Sequence, residues 1–511
     1  MPAPSAQAAG ESLGALLAGL PRSNPAFLVP DDGLELSYGQ LAERIEALAG
    51  RLAAASVRPG DRVAVALPGG PEFVQLLLAI TALGAAAAPL NPGYTASEFT
   101  FFLTDIAPRL ILLPAGGAAA AASAAQATGT TVIGVRPGDA GPPVLLAGEE
   151  LVGQASQGRR GGPDDIAVIL HTSGTTSRPK QVPLLQRNLM ASTRTIAGHY
   201  QLTSADVSFC VMPLFHVHGL VASVFATLST GGTVIAPRRL TPRRFWRQAR
   251  DHGATWLSAG PTLHQMILDH RDDGGPPGTL RFARSCSSAL SPALLERAER
   301  GYGVPMLEAY GMTEASHQMA SNPLPPGPRV PGSVGVATGA EIGVADAAGL
   351  LLPEGSAGEV VIRGPGVMPG YVSNPAATAE AFFGDWFRTG DRGRLKDGYL
   401  YLDGRLKEMI IRGGENIAPA EIEQVLLSHP AVSDAVCFGV ADDKYGELVG
   451  AAVTLSGDAD AKALIEHCRG QLAAFKVPAT IHILPQIPRT PTGKVQRRRV
   501  AEFVAGGQAG R

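Results

Sequence analysis

A chain of 511 residues is longer than one ordinary core, so two or more domains are expected. With 45% hydrophobic and 17% charged residues it has the composition of a soluble globular protein. A formal net charge of −2, with acids and bases mixed along the chain, excludes a nucleic-acid binder but not a site for a small anion.

The opening segment MPAPSAQAAGESLGALLAGL has neither a basic leader nor an unbroken apolar core, so no signal peptide is expected. RVAVALP (Arg62 to Pro68) predicts a buried strand, and Pro71 to Leu83 the helix after it. The Ala-rich apolar run from Phe73 to Leu90 stops at Asn91-Pro92, which predicts buried helix and no membrane insertion. RLILLP and TVIGV predict further strands, with AGGAAAAASAAQATGT between them as a surface Ala-rich helix or loop. This alternation implies an α/β fold. Cys210, Cys286, Cys437 and Cys468 form no CxxC pair, so a reducing, cytoplasmic setting is expected without a disulfide framework or zinc site.

DDIAVIL predicts a strand running into HTSGTTSRPK, QVPLL is extended again, and helix character resumes near Asn188. The loop thus joins two strands. Its hydroxyls (Thr172, Ser173, Thr175, Thr176), with Gly174 and Lys180, suit a polyphosphate gripped by side chains and backbone N–H groups, with no helix dipole behind it. It does not follow the pattern of Gly, four residues, then Gly-Lys-Ser/Thr, and Gln181 stands where a second glycine is expected. AYGMTEASH (Ala309 to His317) joins an aromatic, a hydroxyl and a carboxylate, for stacking, phosphate bonding and magnesium ligation by Glu314. From Gly358 the chain reads as short strands with Gly and Asp-Gly turns. There RTGDRG offers Asp391 to both ribose hydroxyls. A glycine beside a charged turn at Asp403-Gly404 marks the domain boundary. A second unit follows, with APAEIEQVLLSHP as a helix opened by Pro419, VSDAVCFGV as a strand and DAKALIEHCRGQLAAF as a helix. PRTPTGKVQRRR carries Lys494 on a glycine turn, and Arg497 to Arg499 reads as a solvated run. Together these features describe a site for ATP, a metal and an acid to be activated.

TSGTTSRPK, YGMTE, TGD, GRLKEMIIRGGENIAPAEIE and PTGK, in this order, resemble the adenylate-forming superfamily of acyl-CoA synthetases, luciferases and peptide-synthetase adenylation domains, over essentially the whole chain. The resemblance implies a large N-terminal α/β domain of several subdomains (1–402), a hinge (403–404) and a small mobile C-terminal α+β domain (405–511). It implies an acid attacking the α-phosphorus of ATP, then CoA thiol attacking the acyl-adenylate. By motif position, Thr172, Ser173, Gly174, Thr175, Thr176 and Lys180 line the β- and γ-phosphates. Tyr310 and Gly311 flank the adenine, Thr313 the α-phosphate, and Glu314 holds Mg2+. Asp391 and Arg405 hold the ribose and nearby phosphate. Lys494 bridges carboxylate and α-phosphate in the first half-reaction. Lys407 matches the hinge, and Gly413 and Gly414 the pantetheine tunnel, where a thiol channel leaves no room for a side chain. The catalytic set implied is Lys494, His216, Glu314 and Thr313.

PLFHVHGL supplies His216 and His218, RSCSSALSP supplies Ser285, Cys286, Ser287 and Ser288, and TEASHQM supplies His317. An acyl tail would bury these polar groups unmatched, so a short acid with a second polar end is expected. HTSGTTSRPK, PLFHVHGLVAS, RSCSSALSP and EAYGMTEASHQMASNPLPPGPRVPGSVG are similar to plant and fungal oxalate–CoA ligases, which implies His216, Ser287, Ser288 and His317 as an oxalate pocket. The alternatives are another small acid such as malonate, a short or medium-chain fatty acid, and, in a different class, a magnesium-dependent ATPase or non-catalytic nucleotide-binding protein. Monomer and homodimer are equally open.

Overall fold

The structure, a computed structural model, describes residues 11–138, 141–153, 161–172, 179–489 and 495–508. Three sheets organise these residues.

In the first, Ile166–His171, Ala86–Pro89, Arg62–Val65, Leu110–Pro114 and Thr131–Arg136 lie side by side and parallel. Helices Pro71–Ala82, Ala96–Ile106 and Ala119–Thr128 follow strands of this set, as parallel pairs require. Val63, Ala64 and Val65 are fully buried, which is why this strand reads as an unbroken apolar run. The Ala-rich segment is a helix that buries Ala121, Ala124 and Ala125. Gln181–Leu185 closes the edge as an antiparallel partner of Ile166–His171. An edge is where a strand tolerates Pro183.

The second sheet has a parallel half and an antiparallel half. Thr233–Ile235, Val207–Cys210, Trp256–Ala259, Phe282–Ser285 and Met306–Met312 are parallel. Beyond them run His317–Ser321, Val336–Ala337, Tyr399–Arg405, Trp386–Lys396, Gly358–Arg363 and Glu341–Ala345, all antiparallel. The stacked rings of Tyr200, Phe282 and Trp256, with centroids 5.1 and 5.4 Å apart, pin helix Gln186–His199 to the parallel half. Ligands in such sheets sit beyond the carboxyl ends of parallel strands. Here those ends carry Ser258, Arg284 and the Tyr310 to His317 segment.

The small unit is a five-stranded sheet of Ile410–Arg412, Glu415–Ile417, Val432–Asp442, Gly446–Leu455 and Thr480–Ile483. Helices Pro419–Leu427, Ala461–Arg469 and Arg497–Gln508 accompany it. The helix expected from Asp460 to Phe475 is shorter: Asp460 caps its start, and it ends before Gly470. The arginine run divides. Arg498 and Arg499 are exposed, but Arg497 is paired with Glu408 and Glu423, so its charge is structural. Among the described residues no helix is long and apolar enough to cross a membrane.

Candidate active site

Strands Ile166–His171 and Gln181–Leu185 carry the hydroxyl loop between them, and the Thr172 N–H donates to the Lys180 carbonyl at its base (3.0 Å). Ser173, Gly174, Thr175 and Thr176 lie outside the described residues, as does Lys494. Helix Gln186–His199 starts at the far end of the second strand, away from Lys180. Lys180 Nζ stands 4.6 Å over the Tyr371 ring, and the Tyr371 hydroxyl donates to Glu314 Oε1 (3.3 Å). One side chain thus links the loop lysine to the expected metal carboxylate. The segment bearing Tyr371 is held by Asn188, which donates to the carbonyls of Pro365 and Val367 (2.7 and 3.1 Å).

Gln181 has a structural reason. Its backbone does not adopt positive φ, so glycine is not required there. Its buried amide donates to the carbonyl and the carboxylate of Asp105 (2.7 and 2.8 Å), at the end of helix Ala96–Ile106. His171 Nε2 lies 2.9 Å from the same carboxylate. Both loop flanks are therefore tied to one acidic residue. Gln181→Gly is expected to lower stability by about 1 kcal/mol, because it removes the hydrogen bonds that tie the strand to Asp105. ATP–pyrophosphate exchange should change less than about threefold, since the hydroxyls that would hold phosphate are untouched. Denaturant unfolding and exchange kinetics on the same protein check this pair of outcomes.

The nucleotide-facing residues converge across the second sheet. Strand pairing sets Asp391 opposite Arg405, with Arg405 Nε 3.1 Å from Asp391 Oδ1. The buried Tyr310 hydroxyl donates to the other oxygen of that carboxylate. Burial and the Asp391 charge push the Tyr310 phenol well above its usual range, so it stays a donor. The Asp391 charge likewise raises Arg405. Thr313 opens the turn Thr313–Ala315, and Glu314 within it is 7% exposed. Gly311 is fixed by crowding: a Cβ there would lie 2.2 Å from the His317 carbonyl oxygen. Among the described residues no group of three or more His, Cys, Asp or Glu is placed to hold a metal ion. A magnesium ion would therefore take one carboxylate here and its remaining ligands from phosphate and water.

The residues expected to face the acid are polar, with His218 and His317 buried and Ser287 half-buried. His218 begins the π-helical segment His218–Phe225, and its ring stacks on His317 with centroids 4.9 Å apart. His218 Nδ1 lies 2.9 Å from Ser287 Oγ, and Nε2 lies 2.6 Å from Ser258 Oγ. Burial, then the neighbouring His317 and Arg284, hold His218 well below the usual imidazole range. Ser287, Ser316 and His317 have left-handed backbones, with φ of 76°, 55° and 120°. Such conformations cost about 1–3 kcal/mol each and gather where a side chain must be aimed. The structure thus joins Ser287, His218 and His317. Ser288 is not brought to them: it is exposed and donates to the Ser287 carbonyl. His216 is half-buried ahead of the π-helical segment, its ring 4.7 Å from Phe215.

On the C-terminal side, Lys407 is exposed in the turn Leu406–Glu408. Gly413 and Gly414 are the two-residue turn between Ile410–Arg412 and Glu415–Ile417, both with positive φ (59° and 89°). Two-residue hairpins of this kind demand that conformation. A Cβ on Gly414 would meet nothing within 4 Å, so in this arrangement glycine answers to the backbone and not to crowding. The expected pivot, Asp403-Gly404, lies inside the last strand of the large unit. Asp403 accepts from Arg392 and Arg394 (3.1 and 2.9 Å), and pairing continues to Arg405.

Two residues of this site escaped sequence reasoning. Arg284 is a charge within a buried strand, and Tyr371 an aromatic in a Pro/Gly-rich stretch. Both signals are local oddities that acquire meaning only from distant partners.

Residues 18–372 match the AMP-binding enzyme family, and residues 421–494 match the AMP-binding enzyme C-terminal domain. The oxalate–CoA ligase of Arabidopsis thaliana is 45% identical over 483 residues, covering 91% of this chain and 93% of that protein. The oxalate–CoA ligase of Saccharomyces cerevisiae is 39% identical over 520 residues, covering 94% and 95%. ATP-bound MatB from Rhodopseudomonas palustris superposes with a TM-score of 0.87 at 31% identity, over 96% of this chain and 98% of that one.

Proposed function

The chain belongs to the AMP-binding enzyme family and is an ATP-dependent, AMP-forming acid–CoA ligase; from that premise we propose that its acid is oxalate and its product oxalyl-CoA. The observation that carries this reading is the polar wall of half-buried Ser287 and buried His218 and His317 beyond the parallel strands. An alkyl tail placed against it would strand hydrogen-bonding groups, whereas a second carboxylate would satisfy them. The names of two relatives, both oxalate–CoA ligases, agree with it.

In this reading the hydroxyl loop (Thr172, Ser173, Gly174, Thr175, Thr176) and Lys180 grip the β- and γ-phosphates. Tyr310 and Gly311 border the adenosine, and Asp391 with Arg405 takes the ribose. Glu314 would hold Mg2+, which supplies charge neutralisation on the phosphates. Thr313 faces the α-phosphate, and Lys494 spans it and the attacking carboxylate. A turn of the small unit about residues 403–407 then withdraws Lys494 and admits CoA past Gly413 and Gly414, with His216 moving between the two steps. Four buried free cysteines suit a reducing, cytoplasmic setting.

The test is a panel of oxalate, malonate, acetate and hexanoate, read by pyrophosphate release with ATP, Mg2+ and CoA present. Oxalate is expected to give the highest kcat/KM. Preference for malonate or a fatty acid would overturn the substrate, and ADP as product would overturn the reaction. His317→Ala is expected to abolish use of oxalate while moving the KM for ATP less than about threefold, since it removes a hydrogen bond on the acid side alone. Unchanged oxalate kinetics would remove His317 from the pocket.

A further inference from the structure

Arg284 is fully buried on strand Phe282–Ser285, and among the described residues no carboxylate forms an ion pair with it. Its N–H groups point instead at five side-chain atoms, none of them a carboxylate oxygen. Nε donates to the Tyr200 hydroxyl (2.7 Å), and Nη1 faces Ser258 Oγ (2.8 Å) and His218 Nε2 (3.3 Å). Nη2 faces His317 Nε2 (3.1 Å) and the side-chain amide oxygen of Gln318 (3.0 Å). The hydrogen-bonding capacity is met, but the charge is not. Removing an ion from water without a counter-charge is costly, so a buried cation of this kind needs a functional reason.

A guanidinium donates and never accepts. His317 Nε2, 3.1 Å from Nη2, therefore accepts from it. His218 sits between two hydroxyls, with Ser258 Oγ 2.6 Å from Nε2 and Ser287 Oγ 2.9 Å from Nδ1, each able to donate or accept. Its ring stacks on His317 at 4.9 Å beside the guanidinium.

We propose that Arg284 is the charge-selecting positioning residue of the acid pocket: it orients His317 by donating to its Nε2 and places an uncompensated positive charge behind His218 and His317, so the pocket favours an acid that keeps a second carboxylate after the first has reacted. This rests on the acid–CoA ligase reading above. One carboxylate goes to phosphorus and later to sulfur. The other remains an anion through both half-reactions, and it is the counter-charge that Arg284 lacks. Arg284 does not touch it directly, because all its donors are engaged.

The experiment compares oxalate with glycolate, an acid of equal carbon number and one carboxylate, in wild type, Arg284→Met and Arg284→Lys. Pyrophosphate release reads kcat and KM, with the KM for ATP and the unfolding midpoint measured on each protein. Arg284→Met is expected to lower kcat/KM for oxalate at least about a hundredfold, chiefly through KM, and for glycolate less than about threefold. Arg284→Lys keeps the charge and is expected to recover about tenfold of the oxalate loss. Equal losses on both acids would overturn the assignment. If the Met variant does not fold, the Lys variant decides alone: a selective rise in the oxalate KM supports it, and an equal rise for both acids overturns it. A readout without substrate is the imidazole nitrogen spectrum of 15N-histidine-labelled protein, with signals identified from His218→Gln and His317→Gln. Wild type is expected to show His317 with its hydrogen on Nδ1 and Nε2 accepting, and an Nε2–H tautomer of His317 would overturn the positioning role. A wild-type enzyme that activates only monocarboxylates would overturn the oxalate reading and the charge selection together. Oxalate preference that survives Arg284→Met would overturn the Arg284 assignment alone.

Discussion

Lys494→Ala is expected to slow adenylation by about a thousandfold while leaving thioester formation from supplied oxalyl-adenylate within about threefold. The reason is where charge develops. As the acid attacks, the pentacoordinate phosphorus gains negative charge, and a positioned ammonium is worth more there than in the ground state. In the proposed second step CoA attack on the carbonyl develops charge elsewhere. The chain on either side of the lysine is well anchored. Arg489 pairs with Val495 and donates to both oxygens of Asp434 (2.6 Å each), and Arg497 is locked between Glu408 and Glu423. The variant should therefore fold. Pyrophosphate exchange and thioester formation from synthetic adenylate measure the two steps separately. Equal damage to both would contradict a lysine that serves only one.

Asp391→Asn is expected to lower kcat/KM for ATP by about a hundredfold, with the KM for oxalate at saturating ATP changed less than about threefold. The substitution keeps the shape and removes the charge. In the native site one carboxylate oxygen accepts from the Tyr310 hydroxyl and the other faces Arg405. Asparagine must turn an NH2 toward one of them, which either sets donor against donor at Arg405 or makes the Tyr310 hydroxyl accept where it now donates. In both cases the Arg405 guanidinium loses its charged partner, and hydrogen bonds to charged groups are worth about 1.5–3 kcal/mol each. Titration with AMP reads the loss without chemistry. Unchanged AMP affinity would remove Asp391 from the ribose site.

The proposed acid pocket shows how unevenly this site could be read in advance. Ser287 and His317 were visible because each belongs to a short string whose neighbours are also unusual, and their left-handed backbones sit where those strings place them. Arg284 stands in one of the same strings, yet nothing nearby marks it. Its partners are Tyr200, Ser258 and Gln318, which are 84, 26 and 34 residues away. Ser288 shows the converse: it has the right neighbours, but the chain turns its hydroxyl back onto the Ser287 carbonyl.

What the sequence determined by itself was the family, the two-part α/β organisation and the order of the chemical motifs. These depend on local properties: hydrophobic period, turn residues, and side-chain types packed into a few consecutive positions. Only the tertiary structure decided what Gln181 is for, since its partner Asp105 is 76 residues away on another element. The same holds for the Tyr371 bridge from Lys180 to Glu314, for the burial of Arg497 and for the guanidinium behind the histidines. A charge is costly or useful according to what surrounds it in space, and that surrounding is assembled from segments far apart in the chain.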